Sequence, residues 1–255
     1  MSEFVSIAEG QKQSGLRLVL LRGLPSPWGQ AARGIFRVKG LDYTAVSPGR
    51  DDALEALEAW TGQTSYPAAM YENEAPRSGW AEILLLAERL APKPALIPAD
   101  ARQRALLFGV AHEICGEMGL GWARRLVAVD TGLRADPGNA ISKMLGDKYG
   151  YREDSAVEAP GRVIATLRML TGLLAESHAA GGRYLLGTEL SAVDIYWATF
   201  CNLVRPLPPE QLAMPEALRP MFTANDDATL EALDPTLLEH RDMMYAEHLE
   251  LPVVL

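Results

Sequence analysis

The hydrophobic pattern of the chain changes near residue 100. Before it, short apolar runs alternate with segments whose apolar residues have helical spacing, a mixture typical of an α/β domain. Ser26 followed by Pro27 is an N-cap residue followed by proline at the first helical position, so we expect a helix that starts here and ends at Gly40. A later helix is expected to have Ser78 as its N-cap. The other predicted elements are strands at 16–21, 41–46 and 68–71 and a short polar helix at 51–60.

After residue 100 the strand patterns almost disappear and helical spacing dominates, which predicts an all-helical part. Ser191 and Asp194 have the spacing of a capping box, which predicts the start of a core helix there. The helices are expected within 101–129, 140–145, 163–174, 192–204, 215–222 and 237–249.

A proline-rich segment between the two parts predicts a linker. The sequence therefore predicts a loose lead-in at 1–14, an α/β domain at 15–91, a linker at 92–99 and an all-α domain at 100–255.

The charge of the chain argues against several classes of function. Against 33 acidic residues stand 24 Lys and Arg, which gives a formal net charge of -9 and opposes binding to nucleic acid or to an anionic membrane surface. No apolar run has the length of a membrane-spanning helix, and the first residues do not have the pattern of a secretion signal. Cys115 and Cys201 lie in no metal-ligand spacing, so no metal site is predicted. These features predict a protein of the reducing cytoplasm.

Three local sequences, in the expected order and spacing, resemble those of the glutathione S-transferase superfamily. In 26–43, Ser-Pro-Trp-Gly-Gln is followed by Lys-Gly-Leu-Asp-Tyr; in 66–78, Tyr-Pro precedes Ala-Ala-Met-Tyr and then Arg-Ser; and 186–195 contains the capping box. The resemblance is to cytosolic, bacterial-like members with serine at the catalytic position, and it covers residues 16–222. It implies an N-terminal thioredoxin-like domain followed by a C-terminal helical bundle, the glutathione transferase fold.

The resemblance implies that residues 66–78 bind glutathione. Pro67 is expected in the cis form, with Tyr66 offering its backbone groups to the tripeptide as a sheet edge would. Ser78 is expected to bind the γ-glutamyl carboxylate at a helix N-terminus, although an ordinary helix cap is the alternative. Arg77 departs from the family, which has an acidic residue here near the ammonium group of the ligand. An arginine would repel that ammonium unless it turned toward a carboxylate or toward solvent.

Ser26 is the candidate catalytic residue. In the superfamily, a hydrogen-bond donor at this position favours the thiolate form of glutathione, and a serine hydroxyl supplies such a donor. A plain helix cap is the alternative, but Pro27 already accounts for helix initiation, which favours the catalytic role. Trp28 is expected either beside the same pocket or in packing.

The second substrate of the superfamily binds against the helix that begins near Asp100. The corresponding residues here are Phe108, His112 and Cys115, and this mostly apolar set favours a hydrophobic or aromatic electrophile. The implied function is activation of glutathione, as cosubstrate, for conjugation, or for ether cleavage or dehalogenation, in a detoxifying homodimer. A non-catalytic ligand-binding or interaction protein with the same fold is the alternative, and Arg77 favours it.

Overall fold

The computed structural model describes residues 4–48 and 54–255. They divide into a mixed α/β unit and an all-helical unit, which confirms the predicted fold class. The first unit contains the described residues up to Leu96 together with Pro208–Met214 and Tyr245–Leu255, and the second contains Ile97–Leu207 and Pro215–Met244. The boundary after Leu96 lies inside the segment expected to be a linker, 92–99. Two segments that the sequence assigns to the all-α part, 208–214 and 245–255, are therefore part of the α/β unit.

The described part of the α/β unit is built around a three-stranded sheet with the order β2, β1, β3. The central strand, β1 (Leu16–Val19), is parallel to β2 (Thr44–Val46) and antiparallel to β3 (Ala68–Tyr71). All three strands were predicted. β3 has its predicted bounds, whereas β1 and β2 are shorter than the apolar runs that indicated them.

One face of the sheet packs against α1 (Ile7–Gly10) and α3 (Leu54–Thr61). Successive strand residues point to opposite faces, so alternate side chains reach this side. The buried cluster here consists of Ile7, Val19, Val46, Leu57, Ala68 and Met70. Of the helix predicted at 51–60, residues 51–53 lie outside the described residues.

The sequence predicted a loose lead-in at 1–14, and this prediction is wrong for residues 5–10. Ser6 caps α1, because its hydroxyl oxygen accepts a hydrogen bond from the backbone N–H of Glu9 at 3.2 Å. Val5 forms a parallel bridge to Val46, which extends the sheet beyond β2. The segment is ordered by these backbone contacts and by the burial of Ile7, which have no strong periodic signal in so short a stretch.

The helices α2 (Pro27–Val38) and α4 (Trp80–Leu90) pack against each other in the same unit. Buried side chains from both helices, including Ile35, Phe36 and Leu84, join the core. Lys39 follows α2 with its side chain buried and forms an ion pair with Glu88.

The ammonium group of Lys39 also ties the end of α4 to the following segment. It donates hydrogen bonds to the carbonyl oxygens of Ala91 at 2.9 Å and Pro94 at 2.6 Å. The chain after α4 is therefore held to the end of α2 by one buried cation.

The second unit is helical throughout its regular structure. Its helices are α5 (Ala101–Cys115), α6 (Leu120–Ala135), α7 (Ala140–Tyr149), α8 (Glu153–Ala179), α9 (Ala192–Phe200), α10 (Asp227–Ala232) and α11 (Pro235–Glu247), with 3₁₀ turns at Cys201–Leu203 and Glu216–Phe222. The last residues of α11, from Tyr245, group with the first unit. The single helical region predicted at 101–129 is two helices, since the chain turns at 116–119, where Met118 has a φ of 57°. The sequence did not predict α10.

The predicted capping box at the start of α9 is confirmed. Asp194 Oδ2 accepts hydrogen bonds from the N–H of Ser191 at 2.9 Å and from its hydroxyl at 2.8 Å. Asp194 Oδ1 accepts from the N–H of Leu185 at 2.8 Å and lies 3.0 Å from Nε2 of His240. One buried carboxylate thus joins the start of α9 to the preceding loop and to α11.

Candidate functional site

Ser26 follows β1 and Pro67 directly precedes β3, the strand that pairs with β1. In the register, Val19 at the end of β1 pairs with Ala68 at the start of β3. Because these strands are antiparallel, the end of one and the start of the other lie side by side. The segment that leaves β1 toward Ser26 and the Tyr66–Pro67 segment that enters β3 therefore start at the same end of these two strands.

Ser26 occupies the predicted N-cap position of α2, with φ -68° and ψ 116°, and Pro27 follows as the first helical residue. The backbone N–H of Ser26 donates to the carbonyl oxygen of Leu24 at 2.9 Å. The hydroxyl accepts no hydrogen bond from the first turn of α2 and has no partner within 4–48 and 54–255. Ser26 is half-buried. Its hydroxyl is therefore a donor that the local structure does not use.

The peptide bond between Tyr66 and Pro67 is cis, as expected. Tyr66 is half-buried and packs against the core cluster beneath the sheet, and burial raises the pKa of its phenol. Trp28, in the first turn of α2, is also half-buried.

Arg77 continues the sheet on the other side of β3. Its backbone N–H and C=O exchange hydrogen bonds with Ala69, at 2.9 and 2.8 Å. The guanidinium turns to a carboxylate: Nη2 donates to Glu74 Oε2 at 2.6 Å and Nη1 to the carbonyl oxygen of Ala75 at 2.8 Å. Arg89 binds the same carboxylate at 2.6 Å. Hydrogen bonds from Arg89 and Arg77 lower the pKa of Glu74, which keeps this carboxylate charged between the two cations.

The expectation that Ser78 is the N-cap of α4 is wrong. The cap is Gly79, whose backbone N–H donates to the Glu82 carboxylate at 3.0 Å, while Ser78 lies one residue earlier and is exposed. Glycine has no side chain with which to cap the helix, so the backbone N–H groups of the first turn keep their capacity to bind an anion. Ser78 lies next to this helix start rather than within it.

A small depression beside Ser26 is partly lined by a segment that the sequence analysis did not include in the site. Its lining includes Ser26, Leu20, Leu24 and Gly29, together with Val254 and Leu255. The resemblance ends near residue 222, and the apolar run at 253–255 was the one available signal of burial.

The three residues expected to line the substrate pocket lie on α5 in the helical unit but do not share one accessible face. Cys115 is 3% exposed and packs in the helical core, where burial raises the pKa of its thiol. His112 is exposed and Phe108 is half-buried, with the Arg104 guanidinium 5.2 Å from its ring centroid. Cys115 therefore belongs to the buried face of α5 and is a core residue.

In the described parts of the chain no group of three or more His, Cys, Asp or Glu side chains is arranged to hold a metal ion. None of the helices within residues 4–48 and 54–255 combines the length and apolar character that spanning a membrane requires.

Solved structures of glutathione transferases are similar to this chain over most of its length. The Omega 3C enzyme of Trametes versicolor has a TM-score of 0.59 at 16% identity, covering 94% of this chain and 89% of its own. A glutathione S-transferase of Methylobacillus flagellatus with glutathione bound has a TM-score of 0.62 at 15% identity, with 90% and 94% covered. One from Methylobacterium radiotolerans, in complex with glutathione sulfonate, has a TM-score of 0.59 at 17% identity, with 91% of each chain covered.

No protein-family model matches the chain, and no curated protein matches it in sequence. The structural similarity and the two-unit architecture show that the chain has the glutathione transferase fold: a thioredoxin-like α/β unit and a helical unit.

Proposed function

We propose that this protein is a glutathione transferase-like enzyme that activates the thiol of glutathione at Ser26. The observation that carries the proposal is the unused hydroxyl of Ser26 at the start of α2, which follows β1 at the end where the neighbouring strand β3 begins after Tyr66–Pro67. The solved neighbours with bound glutathione or glutathione sulfonate support the choice of ligand.

In the proposed mechanism the hydroxyl of Ser26 donates a hydrogen bond to the sulfur of glutathione. A free thiol has a pKa of about 8.5, and a donor that favours the thiolate increases the fraction of nucleophile at neutral pH. The thiolate forms a bond from sulfur to the electrophilic carbon of the second substrate, and the leaving group departs with its electron pair. The thiol proton goes to solvent. The protein contributes a fixed donor and the proximity of the two reactants.

The γ-glutamyl end of glutathione is assigned to Ser78 and the start of α4. Exposed hydroxyl and backbone N–H groups at a helix start favour a carboxylate. The arginine that should repel the ligand's ammonium is paired with Glu74, whose carboxylate also binds Arg89. Arg77 and Arg89 share the single carboxylate of Glu74, so the cluster keeps a net positive charge. This charge attracts the carboxylate of the ligand and repels its ammonium. We assign Tyr66 and Pro67 to the backbone of the tripeptide and Trp28 to its surroundings.

The second substrate is proposed to be hydrophobic or aromatic. The side chains near Ser26 are mainly apolar, and they include Leu20, Leu24 and Leu255. Apolar lining favours burial of an apolar substrate. Phe108 and His112 remain candidates for this substrate's surroundings. Conjugation is the reaction proposed first, with ether cleavage and dehalogenation as variants of the same attack, in a cytoplasmic homodimer with a detoxifying role.

The test combines glutathione binding by calorimetry with conjugation to chlorodinitrobenzene. Ser26→Ala should lower the rate constant for conjugation by about 10- to 100-fold, the effect of losing a hydrogen bond to a charged atom, with a smaller change in glutathione affinity. Ser14→Ala, at an exposed position of the same unit, is the matched control and should behave as wild type. An unchanged rate in Ser26→Ala would remove Ser26 from the mechanism.

The second candidate function is a non-catalytic protein that uses the same fold to bind a ligand. It is favoured by Arg77, a cation where the family has an acidic residue, and by Val254 and Leu255, which occupy part of the lining of the Ser26 depression. Glutathione binding without conjugation by wild type supports this candidate. Absence of both binding and conjugation leaves an interaction role.

A further inference from the structure

The segment 250–255, called here the closing segment, is fixed to α2 by polar contacts at several points. Gln30 Nε2 and Arg33 Nη1 both donate to the carbonyl oxygen of Val254, at 3.0 and 3.1 Å. Arg33 Nη2 also binds the carboxylate of Glu250 at 3.3 Å. One arginine therefore contacts the closing segment both at Glu250, where it begins, and at Val254, near its end.

A further contact holds the segment from its other side. The backbone N–H of Val253 donates to the carbonyl oxygen of Gln211 at 2.7 Å, and Val253 is buried. Val254 and Leu255 then extend to the depression that Ser26 lines. The chain is thus anchored immediately before the residues that lie beside Ser26.

The contacts lie on consecutive turns of one helix. Ser26, Gln30 and Arg33 are spaced by four and three residues, which places them on one face of α2. The closing segment is bound to Gln30 and Arg33, so it lies along the same face of α2 that carries Ser26.

We infer that the closing segment is a specificity-determining element of the Ser26 site: held by Gln30 and Arg33, it forms one wall of the depression and restricts which molecules reach residue 26. The inference concerns access to residue 26, and its consequence for substrate choice rests on the proposed function. A small electrophile passes the wall, whereas a bulky one requires the segment to be displaced. Displacing the whole segment breaks the side-chain hydrogen bonds to the carbonyl oxygen of Val254, the ion pair with the exposed Glu250 and the backbone hydrogen bond from Val253 to Gln211.

The experiment measures access to residue 26 without any assumption about glutathione. Ser26→Cys introduces a thiol at this position, and its labelling by a maleimide of large size is followed by intact mass spectrometry. The natural thiols, Cys115 and Cys201, are buried with raised pKa values, so they remain unlabelled while the protein is folded. They therefore report any loss of the helical unit's structure in the same spectra, and circular dichroism reports the rest.

Labelling is compared between Ser26→Cys alone and the same variant with Arg33→Ala, with Gln30→Ala, or without residues 253–255. We expect Arg33→Ala to speed labelling about 10- to 100-fold, the range for lost hydrogen bonds from a charged donor, and the deletion to speed it at least as much. Arg37→Ala is the matched control, because Arg37 is an exposed arginine one turn further along α2. It should leave the labelling rate unchanged.

Equal labelling rates in Arg33→Ala, in the deletion and in Arg37→Ala, with the fold intact, would overturn the inference. A large maleimide that labels the intact Ser26→Cys protein as fast as a small one would overturn it as well. If access increases as expected while wild type neither binds nor conjugates glutathione, the closing segment does restrict access to residue 26, but the proposed function is wrong. If both hold, removal of 253–255 with Ser26 retained should raise kcat/KM for bulky electrophiles more than for small ones.

Discussion

Replacing Asp194 by alanine should destabilise the helical unit far more than removal of an ordinary helix cap. Its carboxylate is 0% exposed and accepts hydrogen bonds from the backbone N–H groups of Leu185 and Ser191. Without the carboxylate, these two buried donors lose their acceptor at about 1–3 kcal/mol each. His240, which faces Asp194 at 3.0 Å and is 4% exposed, loses its carboxylate partner. We therefore expect a loss of about 3–5 kcal/mol, the range found when one partner of a buried pair is removed.

Thermal unfolding followed by circular dichroism measures this effect. At about 2–4 °C per kcal/mol for a chain of this size, Asp194→Ala should lower Tm by roughly 6–20 °C. Asp100→Ala is the matched control, because Asp100 caps α5 through the N–H groups of Arg102 and Gln103 at 3.0 and 2.9 Å and is exposed. It should cost about 1 kcal/mol. Equal Tm losses for the two variants would refute the reasoning from buried, unsatisfied donors.

Three further predictions concern other buried or paired ionisable groups. Lys39→Met should cost about 3 kcal/mol in urea denaturation, since Glu88 and two carbonyl oxygens lose a buried cation, whereas the exposed Lys93→Met should cost almost nothing. Burial raises the pKa of the Cys201 thiol from 9.0 to about 11, so the folded state keeps a proton that the unfolded state releases, and the stability gained from this thiol is complete below about pH 9 and lost as pH rises toward 11. Relative to Cys201→Ala, wild type should lose up to about 3 kcal/mol across that window in urea denaturation, and parallel curves would contradict the assignment. Glu74→Gln leaves Arg77 without the carboxylate that offsets its repulsion of the ligand's ammonium, so under the proposed function it should weaken glutathione binding severalfold in calorimetry, whereas unchanged affinity would separate this cluster from the ligand.

The sequence predicted best the features that are determined by neighbouring residues. The N-cap position of Ser26 followed from the adjacent proline, and the capping box at Ser191 followed from a spacing of three residues. The bounds of β3 followed from a short apolar run between turn residues. Each signal lies within one turn of a helix or one short strand, where local physical chemistry decides the structure.

The predictions that were wrong concern features that neighbouring residues do not determine. These features depend on distant partners or on alternatives of similar free energy. Ser78 and Gly79 are both acceptable N-cap residues, and the Glu82 carboxylate selects Gly79 by binding its N–H. Cys115 has the spacing of the expected pocket residues, but burial on α5 is determined by the helices packed around it.

The closing segment shows the same limit most clearly at the candidate site. Val254 meets Gln30 and Arg33 across more than two hundred residues of sequence, and no periodicity connects them. Composition and spacing could indicate that residues 253–255 are apolar, but not which surface they cover.

Ser26 itself allows the structural and chemical roles of an N-cap serine to be separated. Its hydroxyl makes no capping hydrogen bond, and Pro27 is preorganised for the first helical position, so the helix start does not depend on the side chain. Ser26→Ala should therefore change Tm by less than about 2 °C, the lower limit for a loss of 1 kcal/mol. Asn139→Ala is the comparison, because Asn139 caps α7 by accepting the N–H of Ser142 at 2.9 Å, and it should cost about 1 kcal/mol. If the side chain of Ser26 stabilised the fold, Ser26→Ala would lower Tm more than Asn139→Ala does. A thiolate donor instead requires that Ser26→Ala cause a small loss of stability and a large loss of conjugation.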